Sequence, residues 1–187
     1  MSSELPSPPC ENIVLIGFMG SGKSAIGRML AKRLKFRFMD TDTIIEERAR
    51  MPIKDIFAKH GEAYFRERET AALASLAGGR GHIIATGGGI VTQARNLPLL
   101  HKLGWVVLLK ADPDEIFRRV AHNKQRPLLQ VENPRERVET MLAERQPLYE
   151  EAADFSVDST GLQREAVVER VLEGARKVFG WKETAKS

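Results

Sequence analysis

The chain has 187 residues, 42% of them apolar, 29% charged and 6% aromatic, and its 29 Lys and Arg against 25 Asp and Glu give a formal net charge of +4. This length suits one ordinary globular domain and is cramped for two, while the longest apolar runs, Ile13–Ile16 and Trp105–Leu109, fall far short of the roughly 20 residues a membrane span needs. The positive balance makes nucleic acid worth testing, but Lys and Arg are interleaved with Asp and Glu instead of gathering into a basic run, which argues against it.

In chain order, residues 1–10 lack the charged start and apolar stretch of a secretory signal and the Arg-rich character of a transit peptide, so they read as a flexible, Pro-rich tail. The single cysteine, Cys10, lies there, which excludes an internal disulfide and any multi-cysteine metal site. A reducing cytoplasm is the expected setting. Residues 11–181 contain no linker or repeat and read as one domain, followed by a polar tail over 182–187. Ile13–Gly17 predicts a first strand, and Ser24–Leu34 a helix with Ile26, Met29, Leu30 and Leu34 on one face. A second strand is expected around Phe36–Met39. Short helices follow over Thr43–Arg50 and Ile53–His60, then a longer one over Glu62–Leu76. His82–Thr86 and Trp105–Lys110 read as strands with a helix-sized segment between them. Asp112-Pro-Asp-Glu115 and Asn133-Pro-Arg-Glu136 each offer a cap, a Pro at the first helical position and a Glu three residues after the cap. Ala153–Asp158 predicts a last strand and Gln163–Phe179 a closing amphipathic helix. The β-α alternation with near-continuous apolar strands predicts an α/β fold, a parallel sheet with helices on both faces. Ligands then bind at the carboxyl ends of the strands.

Gly17-Phe-Met-Gly-Ser-Gly22-Lys23-Ser24 matches the phosphate-binding loop pattern in full, in the strand-to-helix setting it requires. Its backbone N–H groups and the helix start suit phosphates, Lys23 suits the β- and γ-phosphates, and Ser24 suits Mg²⁺. Asp40 and Asp42, at the end of the second strand, share that rim. One carboxylate can hold Mg²⁺ through water while the other takes a proton from an acceptor hydroxyl; either could equally be a helix cap. Asp40 is the natural metal carboxylate, because the third strand ends in Thr86-Gly87-Gly88-Gly89 with no acid. Those glycines permit close approach of a ligand, or make a tight turn. Arg66 suits a carboxylate ligand or a pair with Glu62 or Glu69 on its own helix. Phe57, Tyr64 and Phe65 could wall a ring, but their helical spacing favours core. His60, His82, His101 and His122 are scattered and receive no role.

The phosphate-binding loop, Phe38-x-Asp40-x-Asp42, Ile53-x-x-Ile-Phe57, Gly61-Glu-x-x-Phe-Arg66-x-x-Glu69, Thr86-Gly-Gly-Gly89, Arg126-Pro-Leu-Leu129 and Arg145-x-x-x-Tyr149 occur in this order. The ordered set resembles the shikimate kinase family over about residues 11–175. The resemblance implies a three-layer P-loop kinase fold of the nucleoside monophosphate kinase type, with a five-stranded parallel sheet and a mobile lid at about 121–133. It implies transfer of the γ-phosphoryl of ATP to the 3-hydroxyl of shikimate. Gly20, Ser21, Gly22, Lys23, Ser24 and Ala25 would hold the nucleotide phosphates, and Ser24 and Asp40 the Mg²⁺. Asp42 would bind substrate hydroxyls and act as base. Arg66 and Arg145 would clamp the substrate carboxylate beside Gly87, Gly88 and Gly89. Arg126 would approach the phosphates from the lid, and Arg119, or its neighbour Arg118, would pack near the adenine. No partner chain, membrane or nucleic acid is implied, so a monomer is expected. The competing readings are a gluconate or nucleoside monophosphate kinase of the same fold, and a nucleotide-dependent binding protein.

Overall fold

The computed structural model describes residues 11–120 and 132–181. The expected tails, Cys10, His122, Arg126 and nearly all of the expected lid therefore lie outside the described residues. The chain runs β1 (Ile13–Ile16), α1 (Lys23–Leu34), β2 (Arg37–Asp40), α2 (Thr41–Ala49), α3 (Ile53–Ser75), β3 (His82–Ala85), two 3-10 turns (Ile90–Thr92 and Ala94–Asn96), α4 (Leu97–Leu103), β4 (Trp105–Lys110), α5 (Pro113–Val120), α6 (Pro134–Ala152), β5 (Phe155–Asp158) and α7 (Arg164–Phe179). All strand pairs are parallel, in the order β2-β3-β1-β4-β5.

Alternation along the strands builds two cores, because successive side chains point to opposite faces. Val14, Ile16, Ile84, Val106 and Leu108 meet α3, α4, α5 and α6 through Leu73, Leu100, Ile116 and Val138. Ile13, Leu15, Ile83, Val107 and Leu109 meet α1 and α7 through Ile26, Leu30, Val168 and Val171. A third, smaller cluster of Ile45, Ile56, Phe65 and Ala72 joins α2 to α3. Phe57 packs on Phe65 with ring centroids 4.9 Å apart, and Tyr64 stacks on His60 at 4.5 Å, so these aromatics serve the helix pair. The two helices expected on either side of Gly61 run end to end as α3, with Gly61 at φ 80° marking a break that its missing Cβ permits.

The opposite rim is tied by Asn12, which is fully buried. Its Nδ2 donates to the carbonyls of Gly79 and Leu103, each at 2.8 Å, and its Oδ1 accepts from His82 N–H at 2.9 Å. One side chain thus joins the starts of β1 and β3 to the end of α4. Asn12→Ala takes away all three bonds and is expected to lower unfolding free energy by about 3 kcal/mol, since a buried polar group stripped of its partner costs ~1–3 kcal/mol. Denaturant midpoints should register this loss while turnover stays within about twofold of the parent.

Candidate active site

At the carboxyl rim, β1 leads through the glycine-rich loop into α1. Gly22 caps α1 in the left-handed conformation, φ 98°, with no side-chain cap, and the first helical bond runs from Ile26 N–H to the Gly22 carbonyl at 2.9 Å. The N–H groups of the first turn have no acceptor within the helix, which makes this end an anion site. Lys23 is 8% exposed and its Nζ donates to the Gly17 and Phe18 carbonyls at 2.7 and 2.9 Å. In this conformation the loop closes on its own lysine. A cleft of about 820 Å³ opens here, and its lining includes Gly20, Ser21, Gly22, Lys23, Ser24, Ala25, Asp40, Asp42, Gly88 and Arg119.

Asp40 caps α2, one of the two readings considered for it, and its second oxygen faces the phosphate loop. Its Oδ1 accepts from Asp42 N–H at 3.0 Å, capping α2, and its Oδ2 accepts from Ser24 Oγ at 2.8 Å. Asp42 lies inside the first turn of α2, not ahead of it as the expected start at Thr43 implied, because Asp40 caps the helix two residues earlier. Between them Thr41 is buried, and its hydroxyl accepts from Gly87 N–H at 3.1 Å, which fastens β2 to the triple glycine.

The three glycines are explained by what closes on them. A Cβ at Gly87 would lie 2.5 Å from Glu69 Oε1 and 2.9 Å from Asp42 Oδ1; one at Gly88 would lie 2.9 Å from Met19 N; one at Gly89 would lie 2.0 Å from Arg66 Nη1. Any side chain here would displace an acid, the phosphate loop or an arginine. Arg66 is 6% exposed and bridges two acids on its own helix: Nε and Nη2 meet Glu62 Oε1 at 3.2 and 2.6 Å, and Nη1 meets Glu69 Oε2 at 2.6 Å. Burial works against its charge, but Glu69 and Glu62 outweigh burial and hold the guanidinium above its usual value. Arg145, 8% exposed, donates to the Gly88 carbonyl at 3.2 Å and lies over the Phe18 ring at 5.8 Å. Arg66, Gly87, Gly89 and Arg145 thus sit directly behind the cleft lining formed by Asp42 and Gly88.

On the other side of the cleft, Arg119 Nη1 donates to the Gly20 carbonyl at 3.2 Å and its Nε to Glu115 at 2.9 Å. The Arg118 side chain also pairs with Glu115 but is 72% exposed against 30% for Arg119. Arg119, and not Arg118, therefore lines the cleft. Burial, with Arg118 and Arg164 nearby, pulls the Arg119 guanidinium down from its usual value. Glu115, Ser159, Leu162, Gln163 and Arg164 also line the cleft and carried no expectation. The signal for the last four was positional: they follow the carboxyl end of the fifth strand, which any parallel sheet places on the same rim. Among the described residues no group of three His, Cys, Asp or Glu side chains forms a metal cluster, and no helix is long and apolar enough to cross a membrane.

A parallel sheet with its first strand at the centre, a phosphate loop at that strand's end and paired carboxylates beside it define a P-loop kinase of the nucleoside monophosphate kinase type. A deoxyadenosine kinase from M. mycoides shares this fold, with a TM-score of 0.59 at 17% identity, covering 89% of this chain and 99% of its own. The shikimate kinase family model matches residues 19–176. A shikimate kinase of Caldanaerobacter subterraneus subsp. tengcongensis is 44% identical over 170 residues, 91% of this chain and 99% of its own length. The solved shikimate kinase from Acinetobacter baumannii in complex with shikimate is 37% identical, with a TM-score of 0.86, and the match covers 95% of this chain and 97% of that one. This chain belongs to the shikimate kinase family.

Proposed function

We propose that the chain transfers the γ-phosphoryl of ATP to the 3-hydroxyl of shikimate, giving shikimate 3-phosphate and ADP. The observation that carries this reading is the meeting, behind one phosphate loop, of Asp42 with two buried arginines across the triple glycine. An acceptor with a hydroxyl at one end and a carboxylate at the other fits that arrangement.

ATP phosphates would lie on the loop and the start of α1, with Gly20, Ser21, Gly22 and Ala25 around them. Lys23 would exchange its two carbonyl partners for phosphate oxygens. Ser24 Oγ and Asp40 Oδ2, 2.8 Å apart, offer the hard oxygen donors Mg²⁺ prefers, and that ion usually keeps several waters and phosphate oxygens as its other ligands. When bound, Mg²⁺ neutralises charge on the phosphates. Asp42 would accept the proton of the acceptor hydroxyl. Arg119 would flank the adenine, and Arg126 would add positive charge at the phosphates from the expected lid. Phosphoryl transfer asks mainly for placement and electrostatic stabilisation, which these residues supply. The protein would act in the cytoplasm as a monomer, without nucleic acid.

A coupled ADP-release assay with shikimate, gluconate and nucleoside monophosphates in parallel tests the assignment. Turnover with shikimate above the no-acceptor background is expected; turnover with another acceptor and none with shikimate would overturn it.

The donor count at Arg66 gives a finer prediction. A guanidinium has five N–H donors, and Glu62 and Glu69 engage three, leaving two for a substrate carboxylate. Lys offers a single point charge with three donors. Arg66→Lys is expected to raise the KM for shikimate about tenfold, the equivalent of ~1.4 kcal/mol, with the KM for ATP within about twofold of the parent. Equal losses for both ligands would remove Arg66 from the carboxylate site.

A further inference from the structure

Tyr149 lies one helical turn beyond Arg145 on α6 and is 1% exposed. A core position explains its ring but not its hydroxyl, which donates to the Gly88 carbonyl. Arg145 donates to the same carbonyl, so phenol, guanidinium and carbonyl form a triangle with the carbonyl at its apex. Burial pushes the phenol well above its ordinary value, so it stays protonated and keeps donating through the neutral range.

The peptide that follows gives the triangle its consequence. No peptide bond among the described residues is cis, so the Gly88 carbonyl and the Gly89 N–H point in opposite directions across one plane. With the carbonyl held toward α6, the N–H is aimed away from it. The N–H groups of Gly88 and Gly89 donate to nothing among the described residues, although Gly89 is buried. A buried donor of this kind calls for an acceptor, and a carbonyl that accepts two hydrogen bonds polarises its peptide and strengthens the N–H beyond it.

We infer that Tyr149 is a positioning residue for the acceptor substrate: by locking the Gly88 carbonyl together with Arg145, it aims the Gly89 N–H and the Arg145 guanidinium at the carboxylate end of shikimate. The inference rests on shikimate as the acceptor. Tyr149 touches no reacting atom and acts through Gly88 and Arg145.

Tyr149→Phe removes the hydroxyl and keeps the ring. With calorimetric titration of shikimate and ADP, its Kd for shikimate is expected to rise about tenfold, with the Kd for ADP within twofold of the parent. In a double-mutant cycle with Arg145→Lys, the combined loss should be smaller than the product of the single losses, because both side chains act on one carbonyl. Val138→Ala, a buried α6 change away from the triangle, controls for loosening of the helix and should lower Tm without moving the Kd for shikimate. An unchanged Kd for shikimate in Tyr149→Phe, equal losses for both ligands, fully multiplicative losses in the cycle, or the same rise in Val138→Ala would each overturn the inference. A parent protein that neither binds nor phosphorylates shikimate would instead overturn the functional assignment on which it rests.

Discussion

Asp42→Asn is expected to lower kcat by about 10²- to 10⁴-fold, the range attributed to a positioned general base, while leaving the fold intact. Asn has the same shape, and the backbone N–H that anchors residue 42 to Asp40 Oδ1 is untouched. The stability cost should be small. A carboxylate in the first turn of a helix contributes about 0.3–1 kcal/mol through the helix dipole, and Asp42 occupies that turn of α2. The KM for ATP should hold within about twofold, since Asp40 and Ser24 remain. Steady-state kinetics beside a thermal melt separate the two effects, and a kcat near that of the parent would remove Asp42 as the base.

Lys23→Ala is expected to lower kcat by about 10²- to 10³-fold, as removal of one preorganised stabilising group does elsewhere, and also to destabilise the protein without nucleotide. The second effect follows from the conformation of the loop. Lys23 Nζ holds the Gly17 and Phe18 carbonyls, so its loss withdraws the donor that ties these two carbonyls together. A cost of about 2 kcal/mol fits two carbonyls losing a charged donor. Once phosphates occupy the loop that bond is no longer required, so ADP should narrow the gap in Tm between variant and parent when compared at equal fractional saturation. A gap unchanged by saturating ADP would show that the lysine stabilises the fold by some other contact.

The elements read most accurately from sequence are those whose environment is uniform. β4 is apolar from Trp105 to Leu109 because both faces are covered there, and its expected bounds, Trp105–Lys110, are the observed ones. β2 lies at the sheet edge with exposed and half-buried residues, so its pattern is diluted and its observed bounds, Arg37–Asp40, lie one residue beyond those expected. The segment between β3 and β4 resolves into two 3-10 turns and a seven-residue helix. One side chain sets that shape: Asn96 Nδ2 donates to the nearby Ile90 carbonyl, and Asn96 Oδ1 accepts from Thr70 on the distant α3. No local periodicity encodes a contact with a helix 26 residues away.

The candidate site divides in the same way. The phosphate loop and Asp40 were legible because their chemistry is local, with strand, turn and helix start in consecutive residues. Arg66 and its pairing with Glu62 or Glu69 follow from helical spacing, while the resemblance supplied Arg145; the structure brings both arginines to the triple glycine, but the task of Tyr149 was not legible. Tyr149 acts on a carbonyl, so its meaning exists only once α6 and the glycines have met.

Sheet order also bears on how the protein is made. β1 pairs on one side with β3 and on the other with β4, so Ile13 finds its partners at Ile83 and Trp105. During synthesis the strand that carries the phosphate loop therefore emerges first and waits until His82–Ala85, and then Trp105–Lys110, have been made before it has either neighbour. Such distant pairings carry the loop-closure cost that slows folding. Nucleotide then has nothing native to bind on the nascent chain, and it can stabilise the protein only after translation has passed β4.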